Sequence, residues 1–143
     1  MGNCHSNRCD SWDSILSYKR QLTMFFTSSE TERKRKIAQL HSFMLVFNAD
    51  SENLSHMEKA GQKSFMQTLV NGFGLSEDDL QEVETMSFLE MVSVLRKCSY
   101  FYKRTYAESL SVAFNNTSKS AEVESVLKTI VFECDIPRDF LIL

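Results

Sequence analysis

The sequence contains few residues that interrupt secondary structure: four glycines and one proline among 143 residues. A β-sandwich needs turn residues roughly every 8 to 12 positions, so this scarcity argues against strands and favours long helices joined by short polar loops. No apolar run approaches the roughly 18 to 20 residues that a membrane-spanning helix requires. The sequence therefore predicts an all-α protein without a transmembrane segment.

Cysteine is too sparse for a disulfide framework. The chain has four cysteines, of which Cys98 and Cys134 fall in apolar helical patterns, where a thiol behaves as a small hydrophobic side chain. We therefore expect a reducing, cytoplasmic location. The formal net charge of -3 argues against nucleic acid as a partner, because binding to phosphates requires a basic face.

A motif that occurs twice is the most informative positive feature. An apolar helical stretch ends in VFNAD at residues 46–50, and a polar turn and a helix with Glu58 in its first turn follow it. A degraded copy, AFNNT at residues 113–117, precedes a helix that carries Glu122 and Glu124. The repeat predicts a pseudo-two-fold fold in which two helical hairpins pack together with their polar loops side by side.

Apolar side chains recur at intervals of three and four residues along most of the chain, as on one face of an α-helix. The pattern is clearest from Val123 to Cys134, and it predicts seven or eight helices for the whole chain. The other helices are expected to begin near residues that can cap them or form their first turn. These residues are Asp10, Ser29, Ser55, Ser76, Thr85, Tyr100 and Pro137.

The length of the chain suits one domain with a core of its own. We expect a disordered tail over residues 1–10 and a single compact all-α bundle over residues 11–143. The helix that begins at Ser55 is expected to end at Gly72 or Gly74, because glycine commonly terminates helices.

The first polar loop carries the candidate metal ligands Asp50, Glu52 and Glu58. Their carboxylates could offer oxygens to a divalent cation, since calcium takes about six to eight oxygen ligands. The loop lacks the glycine and alternating acids of an EF-hand, and Glu58 also has the spacing of a capping partner for Ser55. Weak cation or partner binding and plain capping therefore both stay open, and no other cofactor is expected.

Charge is distributed unevenly along the chain. Residues 48–90 hold nine acids and two bases, whereas residues 19–36 hold six bases and two acids. The basic segment could receive an acidic protein partner, although a solvated helix face would explain the same charges. The candidate partner-binding residues are Arg33, Lys34, Arg35 and Lys36.

No catalytic constellation is apparent. The three imidazoles, His5, His41 and His56, do not pair recognisably with a nucleophile and an orienting acid. The GFG at residues 72–74 is better interpreted as a helix end than as a phosphate-binding loop. We therefore expect a non-enzymatic protein, with a metal-dependent hydrolase built on the acidic loop as the weaker alternative.

The N-terminal MGNCHS matches the myristoylation pattern, with Gly2 as the acceptor and Ser6 at the favoured position. Cys4 could take a second acyl chain, and two chains anchor a protein far more firmly than one. An acylated protein would be a lipid-anchored adaptor that displays a helical partner-binding surface. With an unmodified tail, no membrane association is expected.

The stretch LHSFMLVFNADSENLSHMEKAGQKSFMQTLVNGFGLSEDDL, residues 40–80, resembles the TerB-like domains, named for a bacterial tellurite-resistance protein and also found in DjlA-type co-chaperones. In that family an apolar helix ends in alanine and aspartate, a glutamate opens the next helix, and a glycine-leucine-serine sequence starts another. The matching residues here are Ala49, Asp50, Glu58, Gly74, Leu75 and Ser76.

The second half of the family pattern matches more loosely over residues 113–130, with Asn116 or Thr117 in place of aspartate and Glu124 in place of glutamate. Ser51 replaces the usual glycine, and one extra residue precedes Glu58. The resemblance, which covers roughly residues 12–140, implies an all-α pseudo-two-fold bundle. It also implies a non-enzymatic binding or scaffold protein linked to stress response or metal resistance.

Overall fold

The computed structural model describes residues 29–50 and 54–142. The chain divides into two compact units, Met1–Lys34 and Arg35–Leu143, and most of the described residues belong to the second. Within the described residues the structure contains six α-helices, one short 3₁₀ helix and no strand. These are α1 (residues 29–48), α2 (His56–Phe73), α3 (Glu77–Thr85), α4 (Phe88–Arg96), α5 (Tyr100–Asn115), α6 (Ala121–Glu133) and the 3₁₀ helix (Arg138–Phe140).

The predicted all-α class is confirmed for the described residues, which contain six α-helices, whereas seven or eight helices were expected for the whole chain. The helix predicted to begin at Asp10 and the tail over residues 1–10 lie outside the described residues. The helix predicted to begin near Pro137 is a three-residue 3₁₀ helix. Ser29 is already helical, so it is not the capping residue that its spacing suggests.

Five of the helices begin at a serine whose side chain accepts a hydrogen bond from the backbone N–H three residues later. The capping serines are Ser55, Ser76, Ser87, Ser99 and Ser120. Such a cap satisfies an N–H group that has no partner inside the helix. Ser76 and Asp79 form the full reciprocal capping box. The hydroxyl of Ser55 accepts from the backbone N–H of Glu58 and also donates to Oε1 of the same residue, at 3.0 Å.

The predicted start at Thr85 is wrong, because this residue closes α3. Its hydroxyl donates to the carbonyl of Gln81 at 3.0 Å, one turn earlier in the same helix. Helix α4 begins at Phe88, with Ser87 as its cap. The end of α2 at Gly74 is confirmed: this glycine has a φ of 65°, and its N–H donates to the carbonyl of Asn71.

The core joins α1 to α2 and α5 through aromatic contacts. The ring of Phe43 lies 5.1 Å from that of Phe65 and 5.7 Å from that of Tyr106, centroid to centroid. Burial raises the pKa of the Tyr106 hydroxyl well above its ordinary value. That hydroxyl donates to Oγ of Ser42 at 2.7 Å, so the polar atom of the tyrosine is satisfied inside the core.

Other buried polar groups also find partners. Nδ1 of His41 lies 2.7 Å from the carbonyl oxygen of Val83, so this buried imidazole has a hydrogen-bond partner in the core. Nζ of Lys103 donates to the carbonyl of Asp135 at 3.1 Å. Cys98 and Cys134 are buried thiols, as their apolar surroundings in the sequence predict. None of the described helices is both long enough and apolar enough to cross a bilayer.

Candidate functional site

The predicted acidic loop begins at Asp50, which is 2% exposed. Oδ2 of this residue accepts hydrogen bonds from Nε2 of Gln62 and from the backbone N–H of Ser118, both at 3.0 Å. Its Oδ1 accepts a further bond from the Ser118 hydroxyl. Gln62 also donates to the carbonyl of Asn116 at 3.0 Å. We call Asp50, Gln62, Asn116 and Ser118 the Asp50 clasp.

The Asp50 clasp brings the two polar loops of the sequence repeat together. Asp50 follows α1, and Ser118 lies between α5 and α6, so the hydrogen bonds connect the two copies of the motif directly. Gly61 of α2 lies against the same place, where an added Cβ would be 2.8 Å from Oδ1 of Asn116. The adjacency of the loops that the repeat predicts is therefore confirmed at this point.

The hydrogen bonds of Asp50 bear on the predicted cation site. An ionised carboxylate only accepts hydrogen bonds, and here both oxygens already face protein donors, which a cation would have to displace. Glu52 lies outside the described residues, and Oε2 of Glu58 is shielded from solvent and has no hydrogen-bond partner among the residues that the structure describes. Within residues 29–50 and 54–142, no group of three or more His, Cys, Asp or Glu side chains could hold a metal. The cation site stays a prediction.

Two of the predicted partner-binding residues lie against aromatic rings of the protein itself. The guanidinium of Arg35 is 5.2 Å from the ring centroid of Tyr102, and Nζ of Lys36 is 5.9 Å from that of Phe73. Such cation–π contacts give both side chains a structural role. These two contacts explain the presence of Arg35 and Lys36 without invoking a second protein.

The remaining predicted site residues are less informative. Arg33 forms a salt bridge of 3.1 Å with Glu30, one turn away on the same helix. Lys34 is half-buried. Gly2 and Cys4 lie outside the described residues, so lipidation stays a prediction.

A groove that no sequence motif predicts lies between the end of α5, α6 and the C-terminal segment. Its volume is about 730 Å³. We call it the C-terminal groove, and its apolar lining consists of Phe114, Leu127, Val131, Phe132 and Leu141. Leu127 and Val131 are nearly buried, at 2% and 6% exposure, but Phe132 is 77% exposed. A large aromatic side chain thus lies open to solvent beside a buried apolar floor.

The walls of the C-terminal groove are held in place by identifiable contacts. The backbone N–H of Ile142 donates to Oγ of Ser111 at 2.9 Å, which ties the C-terminal segment to α5. The ring of Phe140 packs edge-on against Tyr100, with centroids 4.7 Å apart, and the guanidinium of Arg104 lies 4.9 Å from its centroid. The segment that forms one wall is therefore anchored to the core.

The rim of the C-terminal groove is mainly cationic. Its charged lining residues are Lys119, Glu124, Lys128 and Arg138. Lys128 and Glu124 form an exposed pair of 3.0 Å, a type of contact that contributes little to stability. Nζ of Lys119 lies 5.9 Å from the ring centroid of Phe114. Neither Lys119 nor Arg138 forms a salt bridge with a carboxylate of the described residues, so positive charge is available at the rim.

The sequence contains one signal that could have revealed this groove. Phe132 is an aromatic residue next to the buried stripe of α6, at a position that the helical period assigns to the outer face. The described residues that line the groove offer apolar contact and positive charge. Comparison of this chain with protein-family models, with curated proteins and with solved structures gives no match.

Proposed function

We propose that this protein is a non-enzymatic helical binding protein that holds a protein partner in the C-terminal groove. The observation that carries the proposal is the exposure of Phe132 beside the buried floor formed by Leu127 and Val131. Burying an aromatic side chain of this size is worth about 1.5 to 3 kcal/mol, and exposed apolar patches rimmed by polar residues are typical of interaction sites. The anchored walls support a groove that is formed before the partner arrives.

The TerB-like resemblance is retained as part of this proposal. Its support is the all-helical class of the described residues and the contact between the two loops at Asp50 and Ser118. In this interpretation the acidic loop joins the two halves of the fold, and the groove does the binding. A role in stress response or metal resistance would then be exercised through the bound partner.

The test compares three forms of the protein as bait in extracts of its native host. The first is the wild type, and the second carries Phe132→Ser. The third carries Leu89→Ser on α4, a matched control because Leu89 is 79% exposed and does not line the groove. We expect the wild type and the Leu89 variant to retain the same partner, and the Phe132 variant to lose it. Retention by all three forms, with each shown to be folded by circular dichroism, would refute the proposal.

A further inference from the structure

We infer that the occupant of the C-terminal groove is an acidic amphipathic helix of a partner protein. The inference rests on the proposed function and names the partner class for the same site. It is carried by the spacing of the stripe of groove residues on α6 and by the sign of the charge around it.

The stripe on α6 has the spacing of a helix face. The lining residues Glu124, Leu127, Lys128, Val131 and Phe132 follow one another at offsets of three, one, three and one. At 1.5 Å per residue, this stripe extends over about 12 Å, or roughly two helical turns. A partner helix with apolar residues at similar intervals can lie along such a stripe and cover the exposed ring of Phe132.

The exposure of Phe132 distinguishes this occupant from a small ligand. Pockets for small molecules enclose most of the ligand surface, whereas this wall of the groove is open, with Phe132 77% exposed. The open side leaves room for a chain that continues beyond the groove. A helix that contributes one or two apolar anchors fits this geometry.

The positive charge at the rim of the C-terminal groove favours a partner that carries negative charge. Lys119 and Arg138 are exposed and have no salt bridge to a carboxylate of the described chain, and Glu124 is already paired with Lys128. Carboxylates that flank the apolar face of a partner helix would meet these two cations. Charge complementarity of this kind accelerates association, opposes partners of the wrong sign and weakens as salt is added.

The experiment uses two designed peptides of equal length with the same apolar face, one flanked by glutamates and the other by lysines. Binding of each labelled peptide to the full chain is measured by fluorescence anisotropy at low and high salt. We expect the acidic peptide to bind at least about 10-fold more tightly than the basic one, with the difference shrinking as salt rises. Equal binding of the two peptides would overturn the inference.

Two pairs of variants separate the groove from a general charge effect. Lys119→Glu combined with Arg138→Glu should weaken binding of the acidic peptide about 10-fold or more. Lys59→Glu combined with Lys63→Glu alters the net charge equally on exposed residues of α2 that do not line the groove, and should have a much smaller effect. Phe132→Ser should weaken binding by about 10-fold, and Leu89→Ser should leave it unchanged. Equal effects of the two charge reversals would overturn the inference.

The inference and the proposed function can fail separately. If Phe132→Ser abolishes partner capture but neither peptide binds, the groove binds a partner of another class and only the inference falls. If partner capture is also insensitive to Phe132→Ser, both fall. Sedimentation with phosphatidylserine vesicles tests a membrane occupant: vesicle binding that is lost in the Phe132 variant would assign the groove to a lipid surface and overturn the inference.

Discussion

The carboxylate of Asp50 accepts hydrogen bonds from both the backbone N–H and the hydroxyl of Ser118, a residue 68 positions further along the chain. This pair of contacts joins the end of α1 to the loop between α5 and α6. A buried carboxylate is costly unless donors surround it, and Gln62 supplies a third donor here. Asp50, which the sequence suggests as a candidate metal ligand, therefore links distant segments of this fold through hydrogen bonds.

Asp50→Asn tests this role with almost no change in side-chain volume. The amide keeps one acceptor oxygen and places an NH₂ group where Ser118 and Gln62 already donate. We expect a loss of about 1 to 3 kcal/mol in the free energy of unfolding, measured by urea denaturation. Glu84→Ala, at an exposed position of α3, is the control and should change stability by less than about 0.5 kcal/mol.

The same variants also address the cation site. A ligand that binds only the folded state stabilises it, so wild-type protein with such a site would gain stability when millimolar calcium or magnesium is added. Because the carboxylate of Asp50 is already hydrogen-bonded within the Asp50 clasp, we expect neither the wild type nor Asp50→Asn to gain stability. A gain in the wild type that disappears in Asp50→Asn would contradict the clasp interpretation and support the cation site.

The effect of Gly61→Ala on the free energy of unfolding is predicted to depend on the side chain of Asn116. Alanine at a helix interior is favoured over glycine by about 0.5 to 1 kcal/mol, but the new Cβ would lie 2.8 Å from Oδ1 of Asn116. We expect the full gain only when Asn116→Ala is also present, with a coupling energy of at least about 0.5 kcal/mol in a double-mutant cycle. At Gly72 no atom of the described part of the chain lies within 4 Å of an added Cβ, so Gly72→Ala should show no coupling to Asn116.

Gly74→Ala should destabilise the protein, because this residue ends α2 with a φ of 65°. A side chain in the left-handed region costs about 1 to 2 kcal/mol, and asparagine tolerates the region better than alanine does. Urea denaturation should therefore rank stability as wild type, then Gly74→Asn, then Gly74→Ala. Equal stability of the alanine and asparagine variants would contradict the backbone explanation.

The buried thiol of Cys134 is expected to make the folded protein less stable in alkaline solution. Burial raises the pKa of this thiol to about 12 from its ordinary value of 9.0, and the nearby Lys103 ammonium opposes part of the rise. Above about pH 9 the unfolded chain releases the thiol proton while the folded chain retains it, so stability falls between about pH 9 and pH 12. In urea titrations at about pH 8 and about pH 10.5, Cys134→Ala should lose less stability than wild type. Parallel losses would contradict this prediction.

The helix boundaries show which structural features can be predicted from neighbouring residues alone. Ser55, Ser76 and Gly74 were recognisable because a capping serine with an acid three residues later, and a glycine at a helix end, act through contacts within one turn. Ser87 carries the same signal through Glu90, and it identifies the start of α4 better than Thr85 does. Ser99 and Ser120 have Tyr102 and Val123 at the third position, so their capping role was invisible in the pattern.

The amino-acid sequence by itself determined the helical class, the limits of α2, the starts of α3 and α5 and the adjacency of the two polar loops. Periodicity and caps are patterns of neighbouring residues, and the internal repeat is visible when two segments of the sequence are compared. Only the tertiary structure decided that Asp50 binds Ser118 and that Phe114, Phe132 and Leu141 line one groove. Those relationships depend on packing between distant segments, which the local patterns of the sequence do not specify.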